Sequence, residues 1–317
     1  MMKRIRFFVL FFALVFTPLA SASFAVYYGQ MNSSVYSKLN SFDVIILSPP
    51  TVDETYVSKL SRNHTVVGYV SLATIGGWEP WAKDVSENLI IGKDSNWDER
   101  VVDFSSPEWR RVILDRAVPY ILSRGGFNGV FLDNLDYVDQ YPDKKEGMVD
   151  LVRAIRERYP NITIIANRGG FSIASGIAPY VDHVLFEDFV TYYDFSSGRY
   201  AVFDGSDLQW EFDQVKRLRS LNVSILALSY ANLADESQVE EFSKLICGYA
   251  KEYNVSEVYL ADLSLQRMGF DPPCEPHATG TVNRTPQESP PKGKNGKAVC
   301  GPAFFLPLIL LGRFILR

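Results

Sequence analysis

Between residues 23 and 270, short apolar runs alternate with longer amphipathic stretches. The runs are 24–28 (FAVYY), 43–48 (DVIILS), 65–71 (TVVGYVS), 128–133 (NGVFLD), 162–167 (ITIIAN), 182–187 (DHVLFE), 223–229 (VSILALS) and 257–262 (EVYLAD). Their β-branched and aromatic content, without polar alternation, predicts strands covered on both faces, as in a parallel sheet. Helical patterns fall between them at about 34–40, 53–62, 107–124, 146–158, 171–178, 207–220 and 236–253. Ser106-Pro107-Glu108 reads as an N-cap followed by proline at the first helical position, and Arg124-Gly125-Gly126 ends that helix.

Eight strands with helices between them, over a length near the usual ~250 residues, predict an α/β chain folded as a single (β/α)8 TIM-type barrel. An open doubly wound sheet is the alternative. Its glycine-rich phosphate turn is missing from the first strand–helix connection, YYGQMNSS.

In a barrel the chemistry sits at the C-terminal ends of the strands. Those ends read Tyr28, Ser48, Ser71, Asp133, Asn167, Glu187, Tyr230 and Asp262, a polar ring above an apolar core. Asp133 and Glu187, two strands apart on one rim, suit glycoside hydrolysis, which needs one carboxylic acid and one carboxylate. The structural alternatives are a cap or turn for Asp133 and an ion pair with Arg168 for Glu187. Asp136, three residues after Asp133, is placed to orient it or to bind substrate, whereas Asp139 reads as solvated loop. Gly126 and Gly129 read as parts of the tight turn into the fourth strand. The long connections after the third and sixth strands carry Trp78, Trp81 and Trp97, then Tyr192, Tyr193, Phe195 and Tyr200. Loops of this length are usually functional. At least one of the tryptophans, with Trp78 the candidate, is expected to face the cleft.

Composition narrows the chemistry. A net charge of −5, from 32 basic and 37 acidic residues, gives no electrostatic footprint for nucleic acid. His64, His183 and His277 lack metal-ligand spacing, and no Asp-x-Asp-x-Asp-Gly loop accompanies Asp133, Asp136 and Asp262. There is no Gly-x-Ser-x-Gly elbow, phosphate loop or Cys/His nucleophile pair. No cofactor or metal is therefore expected, and a metal-dependent deacetylase is disfavoured.

The ends of the chain differ from its middle. Residues 1–22 run from a basic stretch through an apolar one to Ala20-Ser21-Ala22, the pattern of a secretory signal peptide. Residues 271–299 are rich in Pro, Gly, Thr and Lys and read as a linker. Residues 300–317, CGPAFFLPLILLGRFILR, resemble the Cys-Gly-Pro sorting signals of surface proteins from hyperthermophilic archaea. That resemblance implies processing or lipidation at Cys300 and attachment to the cell membrane. Asn-x-Ser/Thr sequons at Asn32, Asn63, Asn161, Asn222, Asn254 and Asn283 suit an exported chain. In an oxidising compartment Cys247 and Cys274 are candidates for a disulfide.

The segment GFNGVFLDNLDYVD (126–139), with VVDFSSPEWRRVILDRAVPYILSRG before it and IANRGG and VDHVLFEDFVTYYD after it, resembles glycoside hydrolase family 114. The match runs from VYYGQ to VYLAD. It implies a barrel hydrolase of the endo-α-1,4-polygalactosaminidase type, with Asp133 and Glu187 as the catalytic pair and Asn167, Tyr230 and Asp262 lining the pocket. One departure stands out. Where the family often shows Gly-Glu after the third strand, this chain has SLATIGGWEPW, with no acid before Glu79. The expectation is an extracellular, surface-anchored monomer that cleaves within an amino-sugar polysaccharide. A barrel that binds carbohydrate without cutting it is the alternative.

Overall fold

The structure, a computed structural model, describes residues 23–95 and 97–274. The leader, nearly all of the linker, and the tail with Cys300 lie outside the described residues. Eight strands form one sheet: β1 (Phe24–Tyr27), β2 (Val44–Leu47), β3 (Thr65–Ser71), β4 (Gly129–Asp133), β5 (Thr163–Asn167), β6 (His183–Glu187), β7 (Ser224–Tyr230) and β8 (Glu257–Ala261). Neighbours follow chain order, and every pairing is parallel. Helices between the strands, including Pro107–Val112, Lys145–Arg158, Gly205–Ser220 and Glu236–Tyr253, cover the outside. This is the (β/α)8 barrel that the eight apolar runs predict.

The ring closes by packing where β8 meets β1. The free edge of β8 is taken by the chain doubling back, with Leu260 and Phe270 exchanging hydrogen bonds of 2.9 and 3.0 Å. Phe24 of β1 packs on Tyr259 of β8 at 5.6 Å between ring centroids, and Tyr28 N donates to Leu265 O at 2.7 Å. Gly269 makes this return possible, because a Cβ there would lie 2.2 Å from Leu260 O.

Several expectations are corrected. β1, β2 and β8 end at Tyr27, Leu47 and Ala261, so Tyr28, Ser48 and Asp262 stand one residue beyond their strands. Gly126, at φ +97°, does serve the turn, but Gly129 lies within β4. A Cβ at Gly129 would lie 2.2 Å from Thr163 O, so close backbone approach requires glycine there. Asp139 belongs to the short helix Tyr137–Gln140 and faces Lys145 at 3.6 Å.

The long connections are also more ordered than loops. After β3 the chain builds a three-stranded antiparallel sheet from Thr74–Ile75, Ile90–Asp94 and Glu99–Val102. After β6 it makes the hairpin Thr191–Asp194 with Arg199–Val202, turned by Gly198 at φ +68°. Cys247 and Cys274 are disulfide-bonded, tying the last helix to the returning segment. Closing that 27-residue span contributes about 3–4 kcal/mol on a chain-entropy account.

Candidate active site

Asp133, Asn167 and Glu187 are the last residues of the adjacent strands β4, β5 and β6. All three are buried, the two carboxylates at 2% exposure. Asn167 Nδ2 donates to Asp133 Oδ1 at 2.7 Å and to Glu187 Oε2 at 2.6 Å. Its Oδ1 accepts from Arg168 N at 2.8 Å, which fixes the orientation of the amide. Glu187 Oε1 accepts from the Tyr230 hydroxyl at 2.5 Å. Asp133 Oδ2 is enclosed, with the Tyr69 side chain beside the carboxylate favouring its charge.

Burial dominates the electrostatics. It pushes Asp133 up to about 6, against the donors Asn167, Asn134 N and Tyr69. Glu187 is raised well above the usual carboxylate range, first by burial, then by the like charges of Asp188 and Asp133. Asp136 does not cap the helix after it; burial and the charge of Asp133 push it up to about 7. The Tyr28 hydroxyl is buried without a partner, and Asp133 and Glu187 are the charges that act on it. Tyr28, Tyr69 and Trp78 form an aromatic wall, with ring centroids 5.7 and 6.5 Å apart along the series. Trp81, by contrast, is a core residue packed on Tyr120.

Two of the sequence candidates stand in different surroundings from those expected. Tyr230 is fully buried, so its hydroxyl serves Glu187 and is not exposed to the cleft. Asp262 Oδ1 accepts from Ser264 Oγ at 2.7 Å and Leu265 N at 3.0 Å. That oxygen shapes the turn after β8, where Leu265 takes φ +52°.

Glu187 is not the ion-pair partner of Arg168. Arg168 bonds Asp188 at 3.1 Å and Glu211 at 2.6 Å, and all three are buried. Both strands end at this point: Arg168 opens a 3-10 turn and Asp188 takes φ +57°, so the chain leaves the sheet at each of them. A clip between residues 168 and 188 thus backs the hydrogen bond between 167 and 187. Burial raises Asp188 to about 6 and Glu211 to about 7.

A second acidic group flanks Asp133. Asn134, at φ +62°, donates from Nδ2 to Ser71 Oγ and Thr74 Oγ1, each at 2.9 Å. Thr74 Oγ1 in turn donates to Glu99 Oε2 at 2.7 Å. Burial pushes Glu99 up to about 7, with Glu79 and Asp133 adding to the rise. Glu79 turns back onto Gly76 N and Gly77 N at 3.0 and 2.9 Å. The connection after β3 therefore does bring acids to the site, although its sequence departs from the Gly-Glu pattern. Sequence reasoning missed Tyr69, Asn134, Asp188 and Glu99. Tyr69 alone carried a signal, two residues before Ser71 and so on the same face of β3. Among the described residues, no group of three or more His, Cys, Asp or Glu side chains is placed to hold a metal ion.

The structure is similar to the glycoside hydrolase domain of PelA from Pseudomonas aeruginosa, with a TM-score of 0.64 and 19% identity over 78% of this chain and 98% of that one. It is also similar to Ega3 of Aspergillus fumigatus, crystallised with galactosamine: TM-score 0.58, 16% identity, 76% of this chain and 91% of that one. No curated protein matches it in sequence. The model of glycoside-hydrolase family GH114 matches residues 13–277, most of the chain, so this protein belongs to that family and is a glycoside hydrolase.

Proposed function

We propose that the enzyme cleaves within an α-linked amino-sugar polysaccharide with retention of configuration, Asp133 acting as nucleophile and Glu187 as acid and then base. The observation that carries this reading is the shared donor. One nitrogen reaches both carboxylates at 2.7 and 2.6 Å, so their facing oxygens are no more than about 5.3 Å apart. That closeness favours the ~5–5.5 Å spacing of a nucleophile and its partner acid over the ~6.5–9.5 Å that admits an attacking water. Glu187, under two like charges, keeps its proton where Asp133 is already ionised. Glu187 then protonates the leaving glycosidic oxygen while Asp133 attacks the anomeric carbon. In the second step Glu187 takes a proton from water, whose oxygen displaces Asp133.

The substrate class follows from surplus negative charge. Asp133 acts on both Asp136 and Glu99, and Glu79 acts on Glu99, so these four carboxyl groups form one acidic cluster beside the acid Glu187. Arg168, which bears on Asp136, is already held by Asp188 and Glu211. Such a site attracts an ammonium and repels a uronate, which suits free or partly N-acetylated hexosamine. The galactosamine bound by Ega3 supports the same class. The leader-like residues 1–22 and the tail 300–317 support export and attachment to the cell surface, with Cys300 the processing or lipidation point.

Reducing-end release from α-linked galactosamine polymers tests the reading. The wild type should release reducing ends, and Asp133→Asn and Glu187→Gln should each lose about 10²–10⁴-fold or more while remaining folded. Variants as active as the wild type would overturn the assignment.

A further inference from the structure

Five of the Asn-x-Ser/Thr triplets fall among the described residues, and four of them share one end of the barrel. Asn63 leads into β3, Asn161 into β5, Asn222 into β7 and Asn254 into β8. Because all eight strands are parallel, the residues that lead into them lie on the face opposite the catalytic mouth. All four asparagines are exposed. In three of the triplets the hydroxyl residue, Thr65, Thr163 or Ser224, is the first residue of the strand itself. Asn32 is the contrast. It follows β1, at the mouth end, and its Oδ1 caps the helix Ser33–Leu39 by accepting from Ser34 N and Val35 N.

Turn geometry accounts for only half of this pattern. Asn222 and Asn254 take φ +58° and +53°, where asparagine is favoured for its backbone alone. Asn63 and Asn161 have no positive φ, so the turn does not call for asparagine at either. At Asn254 the amide is best satisfied with its oxygen facing Arg219 Nη2 and Nη1, at 2.7 and 3.0 Å. That orientation leaves Nδ2, the atom a glycan would occupy, away from Arg219.

We propose that Asn63, Asn161, Asn222 and Asn254 are acceptors of N-linked glycan and together form a glycan-bearing face opposite the catalytic mouth. The proposal rests on the export reading, because the donor is met on the far side of the membrane. In the transfer, asparagine Nδ2 attacks the anomeric carbon of a lipid-phosphate-linked oligosaccharide, bound by an oligosaccharyltransferase. The new C–N bond replaces the sugar–phosphate C–O bond. The lipid phosphate leaves with the electron pair, and the amide proton passes to a base of the transferase. Glycans on this face leave the mouth open to a polymeric substrate, whereas a glycan on the mouth would compete with it for space.

The test is glycopeptide mass spectrometry on the full chain, recovered from the surface of a host whose exported proteins carry N-glycans. Glycan mass is expected on peptides containing Asn63, Asn161, Asn222 and Asn254. It should disappear from the last two in a Ser224→Ala, Ser256→Ala variant, which removes the triplets without touching the left-handed asparagines. Polymer cleavage should be unchanged in that variant. A chain that is accessible to protease on intact cells, yet carries unmodified asparagine at all four positions, overturns the proposal and leaves the export reading standing. Glycan found at Asn32 alone also overturns it. A chain retained inside the cell and unmodified overturns the export reading, and the proposal falls with it.

Discussion

Asp133 and Glu187, on strands separated by β5, accept hydrogen bonds from the same nitrogen of Asn167. Their facing oxygens are thereby held within about 5.3 Å of each other in a buried setting. Two ionised carboxylates at that distance repel by about 3 kcal/mol at an effective dielectric of ~20, equivalent to about two pKa units. Burial and this repulsion act in the same direction and raise Glu187 above Asp133, which is the order that acid-assisted nucleophilic attack requires.

The pH dependence of cleavage should be bell-shaped. The acid limb reflects ionisation of Asp133, which burial pushes up to about 6. The basic limb reflects loss of the Glu187 proton, which lies higher because burial, Asp188 and Asp133 all favour retaining it. Asp188→Asn removes a like charge and should move the basic limb down. Tyr230→Phe removes a donor to the Glu187 carboxylate and should move that limb up, with turnover reduced about tenfold, the loss of one hydrogen bond to a charged group. Initial rates against pH for the three proteins check this; shifts of the same sign in both variants would contradict it.

An acidic mouth should prefer cationic chains. Partly or fully deacetylated hexosamine polymers should be cut faster than fully N-acetylated ones. Because a charged chain is drawn in through solvent, that preference should shrink as salt rises from 10 mM to 1 M and the Debye length falls from about 30 to 3 Å. Reducing-end assays on matched polymers at several ionic strengths measure it. A preference independent of salt would point to shape as its source.

The cluster also affects stability. Asp133 and Asp188, pushed up to about 6, and Asp136, Glu99 and Glu211, pushed up to about 7, keep protons in the fold that the unfolded chain has released. Groups raised in this way contribute stability below their unfolded values, near 4, and lose it as pH rises through their folded values. Asp194, held down to about 2 by hydrogen bonds from Ser197 and Ser196, acts in the opposite sense but only at lower pH. The melting temperature should therefore fall between pH 5 and pH 8. Thermal melts across that range test the sign, and a rising melting temperature would contradict it.

The barrel was legible because its strands are buried on both faces. GVFLD, TIIAN and HVLFE are nearly continuous apolar runs ending in a polar residue, and that pattern marks both the strand and the rim. The inserted strands were not legible, because they are short and their faces are mixed. Ile90–Asp94 (IIGKD) and Glu99–Val102 (ERVV) interleave charge with apolar residues. Asp133, Asn167 and Glu187 could be placed by strand ends alone. The role of Asp262 could not, because a turn after β8 and a pocket ligand make the same demand for a carboxylate. Nor could the pairing of Arg168 with Asp188 and Glu211, because Glu211 comes from a helix 43 positions along the chain.

The most direct test of the account is the anomeric configuration of the first product from an α-linked amino-sugar polymer, followed by proton NMR before mutarotation. Asp133 and Glu187 linked through Asn167 predict the α anomer first, converting to the equilibrium mixture with time. Initial release of the β anomer would mean that water attacks directly, and would contradict Asp133 as the nucleophile.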